Sequence, residues 1–113
     1  MRTFSTGATR DDEGEKLDYE GFLHPEVLHV YAEYMHEHRR QGDGAMRAGD
    51  NWQKGIPPAE YMRSLIRHTV DLWRAWRRGG VMVELCCAIL FNTMGLLHEL
   101  LVAGGKIRRA HDD

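Results

Sequence analysis

The stretch 81–102 constrains this chain more than any other. It reads as a helix apolar almost all round, which a soluble protein tolerates only where neighbours or a second subunit cover it. Glu84, Asn92, His98 and Glu99 interrupt it, and its longest unbroken apolar run, residues 85–91, falls well short of the ~18 residues a membrane span needs. The expectation is therefore the central helix of a soluble bundle, with no membrane partner. Gly104-Gly105 ends it, and residues 106–113 should fray as a flexible tail.

Two more helices are expected around it. The first covers 25–40, opened by Pro25, with Glu26 at its positive end and Arg39 and Arg40 at its negative end; Val27, Leu28, Tyr31, Ala32, Met35 and His38 share one face. The second covers 58–78, where Met62, Leu65, Ile66, Thr69, Trp73 and Trp76 follow the spacing of a buried stripe before Gly79-Gly80 stops it. Between them, 41–57 is a Gly/Asp/Asn-rich loop too long for a simple connection, with Trp52 in its middle. Residues 1–22 show neither helical nor strand periodicity and read as an extended arm.

The fold class is all-α: a bundle of three main helices with an N-terminal arm, in a single domain, since 113 residues leave no room for a second. Three helices cannot cover one that is apolar all round, so a homo-oligomer is expected to complete the bundle. A net charge of −2 argues against a nucleic-acid polymer as partner. The first twelve residues hold no apolar signal segment, which makes a cytoplasmic location the expectation. Cys86 and Cys87 point about 100° apart on a helix, so they are expected to be reduced core residues rather than a disulfide.

Several residues could carry chemistry. On the third helix Glu84, Ala88, Asn92, Gly95 and Glu99 fall along one side, alternating polar groups with little bulk, a floor for a ligand or else a surface for close helix packing. On the second, Arg67, His68 and Asp71 lie beside the apolar stripe, and His68 and Asp71 can reach one ligand from successive turns. Twelve residues separate Asp71 from Glu84, so antiparallel helices joined at Gly79-Gly80 could bring these carboxylates together around Mg²⁺ or Mn²⁺, which favour oxygen ligands and phosphate. An ordinary surface hydrogen bond from His68 to Asp71 is the competing reading. The arm and loop add the cations Arg10, Lys16 and Lys54 and the rings Tyr19 and Trp52, suited to phosphate and base. Glu33 and Glu37 read as a solvated face, and His24, His29, His36 and His38 have no metal-finger spacing. No Ser/His/Asp triad, phosphate-binding loop or dinucleotide fingerprint is present.

In order along the chain come Ser5-Thr6-Gly7-Ala8-Thr9-Arg10-Asp11, Lys16-Leu17-Asp18-Tyr19, Asp50-Asn51-Trp52-Gln53-Lys54-Gly55-Ile56-Pro57, Arg67-His68 and Phe91-Asn92. In that combination the chain resembles the phage-encoded dATP/dGTP diphosphohydrolase N-terminal domain family, known through MazZ-type enzymes, over about residues 4–101. The resemblance implies metal-dependent hydrolysis of a deoxypurine triphosphate to monophosphate and pyrophosphate, within the all-α MazG-like group. That group holds its metal with ExxE and ExxD pairs on two helices. Asp71 and Glu84 match the inner positions, whereas His68 and Cys87 stand at the outer ones, and Asn92 or Glu99 could replace the missing ligands.

Three functions follow as expectations. The first is an enzyme, with Glu84, Asp71 and His68 catalytic, Asp71 and Glu84 on Mg²⁺ or Mn²⁺, and Arg10, Lys16, Lys54 and Arg67 neutralising pyrophosphate. The second is a nucleotide-capturing phage protein that uses the same cations and rings without turnover. The third is a structural oligomer whose polar stripe serves packing.

Overall fold

The computed structural model describes residues 2–10 and 16–109. It is mostly helical, and the three main helices are α2 (Pro25–Glu37), α3 (Pro58–Arg78) and α4 (Val83–Ala103). The chain divides into two compact units, Met1–Val30 and Tyr31–Asp113, with the boundary inside α2.

The first unit is not structureless. β1 (Arg2–Thr3) pairs antiparallel with β2 (Thr9–Arg10), Arg2 opposite Arg10 and Thr3 opposite Thr9. Phe4 N–H donates to the Ala8 carbonyl at 2.8 Å, and Gly7 N–H to the Phe4 carbonyl at 2.9 Å. Gly7 takes φ 89°, where a side chain is disfavoured, which is why the turn falls there. A short α1 (Tyr19–Phe22) follows, capped by the Asp18 carboxylate accepting from Gly21 N–H at 2.9 Å. Ladders this short produce no readable sequence period. Asp11, which belongs to the Thr-Gly-Ala motif, lies outside the described residues.

The second unit is built on the α3/α4 pair. Pro58 opens α3 with a ring that suits a first-turn position, and Gly79 at φ 73° lets the chain leave it. Tyr61, almost wholly buried, lies against Gly95 of α4, where a Cβ would collide with its ring. Ser64, His68, Ala88 and Asn92 all line one cavity. Counted along antiparallel helices from the Tyr61–Gly95 contact, Asp71 falls near the level of Leu85 and Glu84 near that of Leu72.

The inward face of α3 differs from the expected one by a rotation of about one residue. Tyr61, Ser64, Leu65, His68, Leu72 and Ala75 turn inward, whereas Met62, Ile66, Thr69, Trp73 and Trp76 are exposed, Trp73 at 60% and Trp76 at 74%. Two apolar stripes one residue apart satisfy the same helical period, and the packing partner chooses between them. Here α4 offers Ala88, Asn92 and Gly95, small or polar residues that seat a ring and a histidine rather than two indoles. The buried residues of α4 are Cys87, Ala88, Asn92, Gly95 and Glu99, the expected floor without Glu84 and with Cys87 beside it. Of its apolar residues, Val83, Leu90, Met94, Leu97 and Leu100 are exposed. By length and composition alone α4 is also apolar enough to cross a bilayer. Cys87 is buried but Cys86 is exposed, so only one of the two thiols is a core residue.

Candidate functional site: an aromatic cavity lined by cations

The second unit carries an open cavity of about 870 Å³, within the ~300–1,000 Å³ typical of small-ligand pockets. Tyr31, Tyr34, Trp52 and Phe91 supply flat walls, and His36, His38, Arg39, Arg47 and His68 supply positive or protonatable groups. Among the described residues no Asp or Glu lines it.

Each wall has a local cause. The segment after α2 folds back as a tight hairpin, with Arg40 bridged to Met46, Gln41 N–H donating to Ala45 O at 2.7 Å, and Gly44 at φ 87° in the turn. That return brings Arg47 beside Arg39: Arg47 N–H donates to the Arg39 carbonyl and Arg39 Nε to the Arg47 carbonyl, each at 2.7 Å. Arg47 Nη1 donates to the His38 carbonyl at 3.3 Å, and Arg39 Nη1 to His36 Nδ1 at 3.3 Å. His38 Nδ1 donates to the Tyr34 carbonyl at 2.8 Å, fixing its tautomer and leaving Nε2 as an acceptor. The two guanidiniums are thus held by backbone while keeping further N–H groups for a ligand.

Trp52 sits on a 3-10 turn, Asn51–Lys54, that packs on α4. It meets Phe91 edge-on at 6.4 Å between centroids and His98 at 5.0 Å, and Phe91 in turn meets Tyr61 at 5.8 Å. Asn92 Nδ2 donates to the Ala88 carbonyl at 2.9 Å, which orients the amide at the cavity and leaves Oδ1 as an acceptor. The buried Nδ1 of His68 has no hydrogen-bond partner among the described residues, and neither has the Tyr61 hydroxyl. Burial pushes the Tyr61 phenol up to about 12, with the Glu99 carboxylate adding to the rise and Arg109 opposing it. Burial likewise raises Tyr31 and Tyr34, so all three phenols stay protonated at neutral pH.

Of the residues expected at a site, the cavity gathers His68, Trp52 and Asn92. Arg67 is exposed, but its Nη2 donates to Ser64 Oγ on the cavity wall at 3.1 Å. Lys54 is exposed at the end of the 3-10 turn. Arg10, Lys16 and Tyr19 belong to the other unit, where all three are exposed. Asp71 and Glu84 do not line the cavity; each is exposed and lies one helical turn beyond a lining residue, His68 and Ala88 respectively. Asp71 Oδ1 is 3.8 Å from Arg74 Nη1, and Glu84 is close enough to help raise the Tyr34 hydroxyl. Among the described residues no three His, Cys, Asp or Glu gather as a metal cluster. Asp71 and Glu84 supply two carboxylates, the kind and number of protein ligand that Mg²⁺ commonly takes beside substrate phosphates and water.

Arg39, Arg47, His36 and His38 are not site candidates in the sequence reading, where Arg39 serves the helix dipole, His38 lies on the shared face of the first helix, and Arg47 has no role. The available signal was the Gly42-Asp43-Gly44 turn between Arg39 and Arg47, which predicts that the chain doubles back.

The chain matches no protein-family profile and no solved structure. It is similar to uroporphyrinogen decarboxylase from Thermus thermophilus, 30% identical over 87 residues, which is 75% of this chain. The chain spans about a quarter (24%) of that curated relative's length, and the decarboxylase activity is a property of that longer protein.

Proposed function

We propose that this domain holds a deoxypurine nucleoside triphosphate in the cavity and hydrolyses it to monophosphate and pyrophosphate. The observation that carries the reading is a cavity of nucleotide size whose described walls bring together flat rings and two backbone-anchored guanidiniums. Trp52 and Phe91 would flank the base, and Asn92 Oδ1 would accept from a purine amino group. Arg39 and Arg47 would neutralise the phosphates, joined by Arg67 at the rim and by Lys54. His68, with its unpartnered Nδ1, would bond to the substrate or take a proton from water. Asp71 and Glu84 would hold Mg²⁺ or Mn²⁺, which when bound polarises phosphoryl oxygens and lowers the pKa of water. Arg10, Lys16 and Tyr19 are proposed to join the phosphate and base contacts, and a host-cytoplasmic location is proposed with them, as the resemblance to the phage enzymes implies.

Among the described residues no carboxylate lines the cavity, which favours a second reading, capture of a nucleotide without turnover. Incubating the protein with each nucleoside triphosphate and Mg²⁺, Mn²⁺ or chelator, with product separation and thermal shifts, separates the two. Metal-dependent release of monophosphate supports the enzyme. A raised melting temperature with intact nucleotide supports capture, and neither effect removes both.

We also infer that copies of the chain assemble through the outward sides of α3 and α4, where Ile66, Trp73, Trp76, Leu97 and Leu100 would otherwise face water.

A further inference from the structure

We propose that Arg109 and Glu99 form a positioning pair that sets Trp52 as a wall of the cavity, so that the segment after α4 governs how tightly the cavity grips a flat ring. Neither residue lines the cavity, and the inference rests on the nucleotide reading only for the identity of that ring.

Glu99, 8% exposed, receives two parallel hydrogen bonds from Arg109: Nη1 to Oε2 and Nη2 to Oε1, each at 3.0 Å. The planar fork that makes this bidentate contact also fixes the direction of the remaining N–H groups. Arg109 Nη1 donates onward to the Gln53 carbonyl at 3.3 Å, inside the 3-10 turn that carries Trp52. At Gly55, just beyond that turn, a Cβ would stand 3.1 Å from Nη1, and φ is 123°, so the backbone approaches the guanidinium as only glycine allows. A second arm leaves the same carboxylate: His98 Nδ1 donates to Glu99 Oε2 at 2.8 Å, and the His98 ring meets Trp52 at 5.0 Å and 67°. One buried carboxylate therefore holds the turn's backbone through Arg109 and the Trp52 ring through His98. Residues 51–54 otherwise lie in a long loop rich in Gly and Asp, where Trp52 also meets Phe91 edge-on.

The test uses the full chain carrying Trp73→Phe and Trp76→Phe, which leaves Trp52 as the sole tryptophan. In that background Arg109→Gln, Arg109→Lys and Gly55→Ala are compared by far-ultraviolet circular dichroism, Trp52 emission, acrylamide quenching, and binding of dATP with and without Mg²⁺. Arg109→Gln should shift Trp52 emission to the red and raise its quenching while helix content stays. Its dATP affinity should fall about tenfold, the worth of one base-stacking contact. Arg109→Lys keeps the charge without the fork and should fall between. Gly55→Ala leaves every helix and charge untouched and should move Trp52 in the same direction, so the idea stays open to refutation even if Arg109→Gln unfolds. Unchanged Trp52 emission and quenching in both Gly55→Ala and the arginine variants would overturn the proposal. If Trp52 shifts as expected but the parent protein binds no dATP, the positioning pair stands and the nucleotide reading falls.

Discussion

At the residue scale the most consequential group is Glu99, a carboxylate buried on the packed face of α4. Its hydrogen bond to Arg109 holds it below the usual carboxylate range, against burial, which alone would raise it, with His98 adding to the lowering. A carboxyl whose folded pKa is depressed stabilises the fold above its unfolded value of about 4.3, and that contribution is lost as pH falls through the folded value. Acid titration of stability should show this loss in the parent and a flatter profile in Glu99→Gln, read by denaturant melts from pH 6 to 2. The two partners are unequal in burial: Arg109 is 22% exposed and can turn to water, whereas Glu99 cannot. Arg109→Ala strands a buried charge and should cost about 3–5 kcal/mol, more than Glu99→Gln does. Comparison of the two urea midpoints checks this, and equal midpoints would count against it. At the cavity, Arg39→Ala or Arg47→Ala should weaken triphosphate binding more than monophosphate binding, as seen by calorimetry with dATP and dAMP.

At the scale of elements, α3 fixed its own limits well and its inward face badly. Pro58 and the Gly79-Gly80 pair bound it as expected, because proline and glycine act through local backbone sterics. Which stripe it buries depends on α4, and no period in α3 alone reports that. For α4 the side carrying Ala88, Asn92, Gly95 and Glu99 was legible, since small and polar residues at one helical spacing stand out in an apolar run. Of the residues singled out in the sequence, Trp52, His68 and Asn92 come together around one cavity. The Arg39/Arg47 pair was not legible, because it forms only when a hairpin returns the chain, a non-local event without a periodic signature. The Gly95 contact gives a sharp element-scale prediction: Gly95→Ala drives a methyl into the Tyr61 ring and should lower stability by about 1–3 kcal/mol despite alanine's better helix propensity. A stabilised Gly95→Ala protein in thermal melts would show that α3 and α4 are not packed in this register.

For the molecule as a whole, the α3/α4 pair is amphipathic in reverse. Beside Tyr61, Cys87 and Ala88 it buries a carboxylate, an amide and a glycine, and it turns Trp73, Trp76, Leu90, Leu97 and Leu100 outward. Exposed apolar residues in this number on neighbouring helices require cover, and a second copy of the chain is the proposed one. Sedimentation equilibrium should give a mass that is a multiple of 13.0 kDa, and Trp73→Gln with Trp76→Gln should reduce it toward that of a single chain. A monomeric parent would remove the proposed interface.

The two adjacent thiols extend this into kinetics. Cys86 points outward while Cys87, its neighbour along the same turn, is shut inside, where burial holds its thiol above the usual range. The helix therefore carries its own clock: a thiol reagent should modify one site at once and the second only as often as the packing around Cys87 opens. If copies do stack on this face, dilution should quicken the first reaction independently of the second, so one time course would separate subunit exchange from breathing of the core.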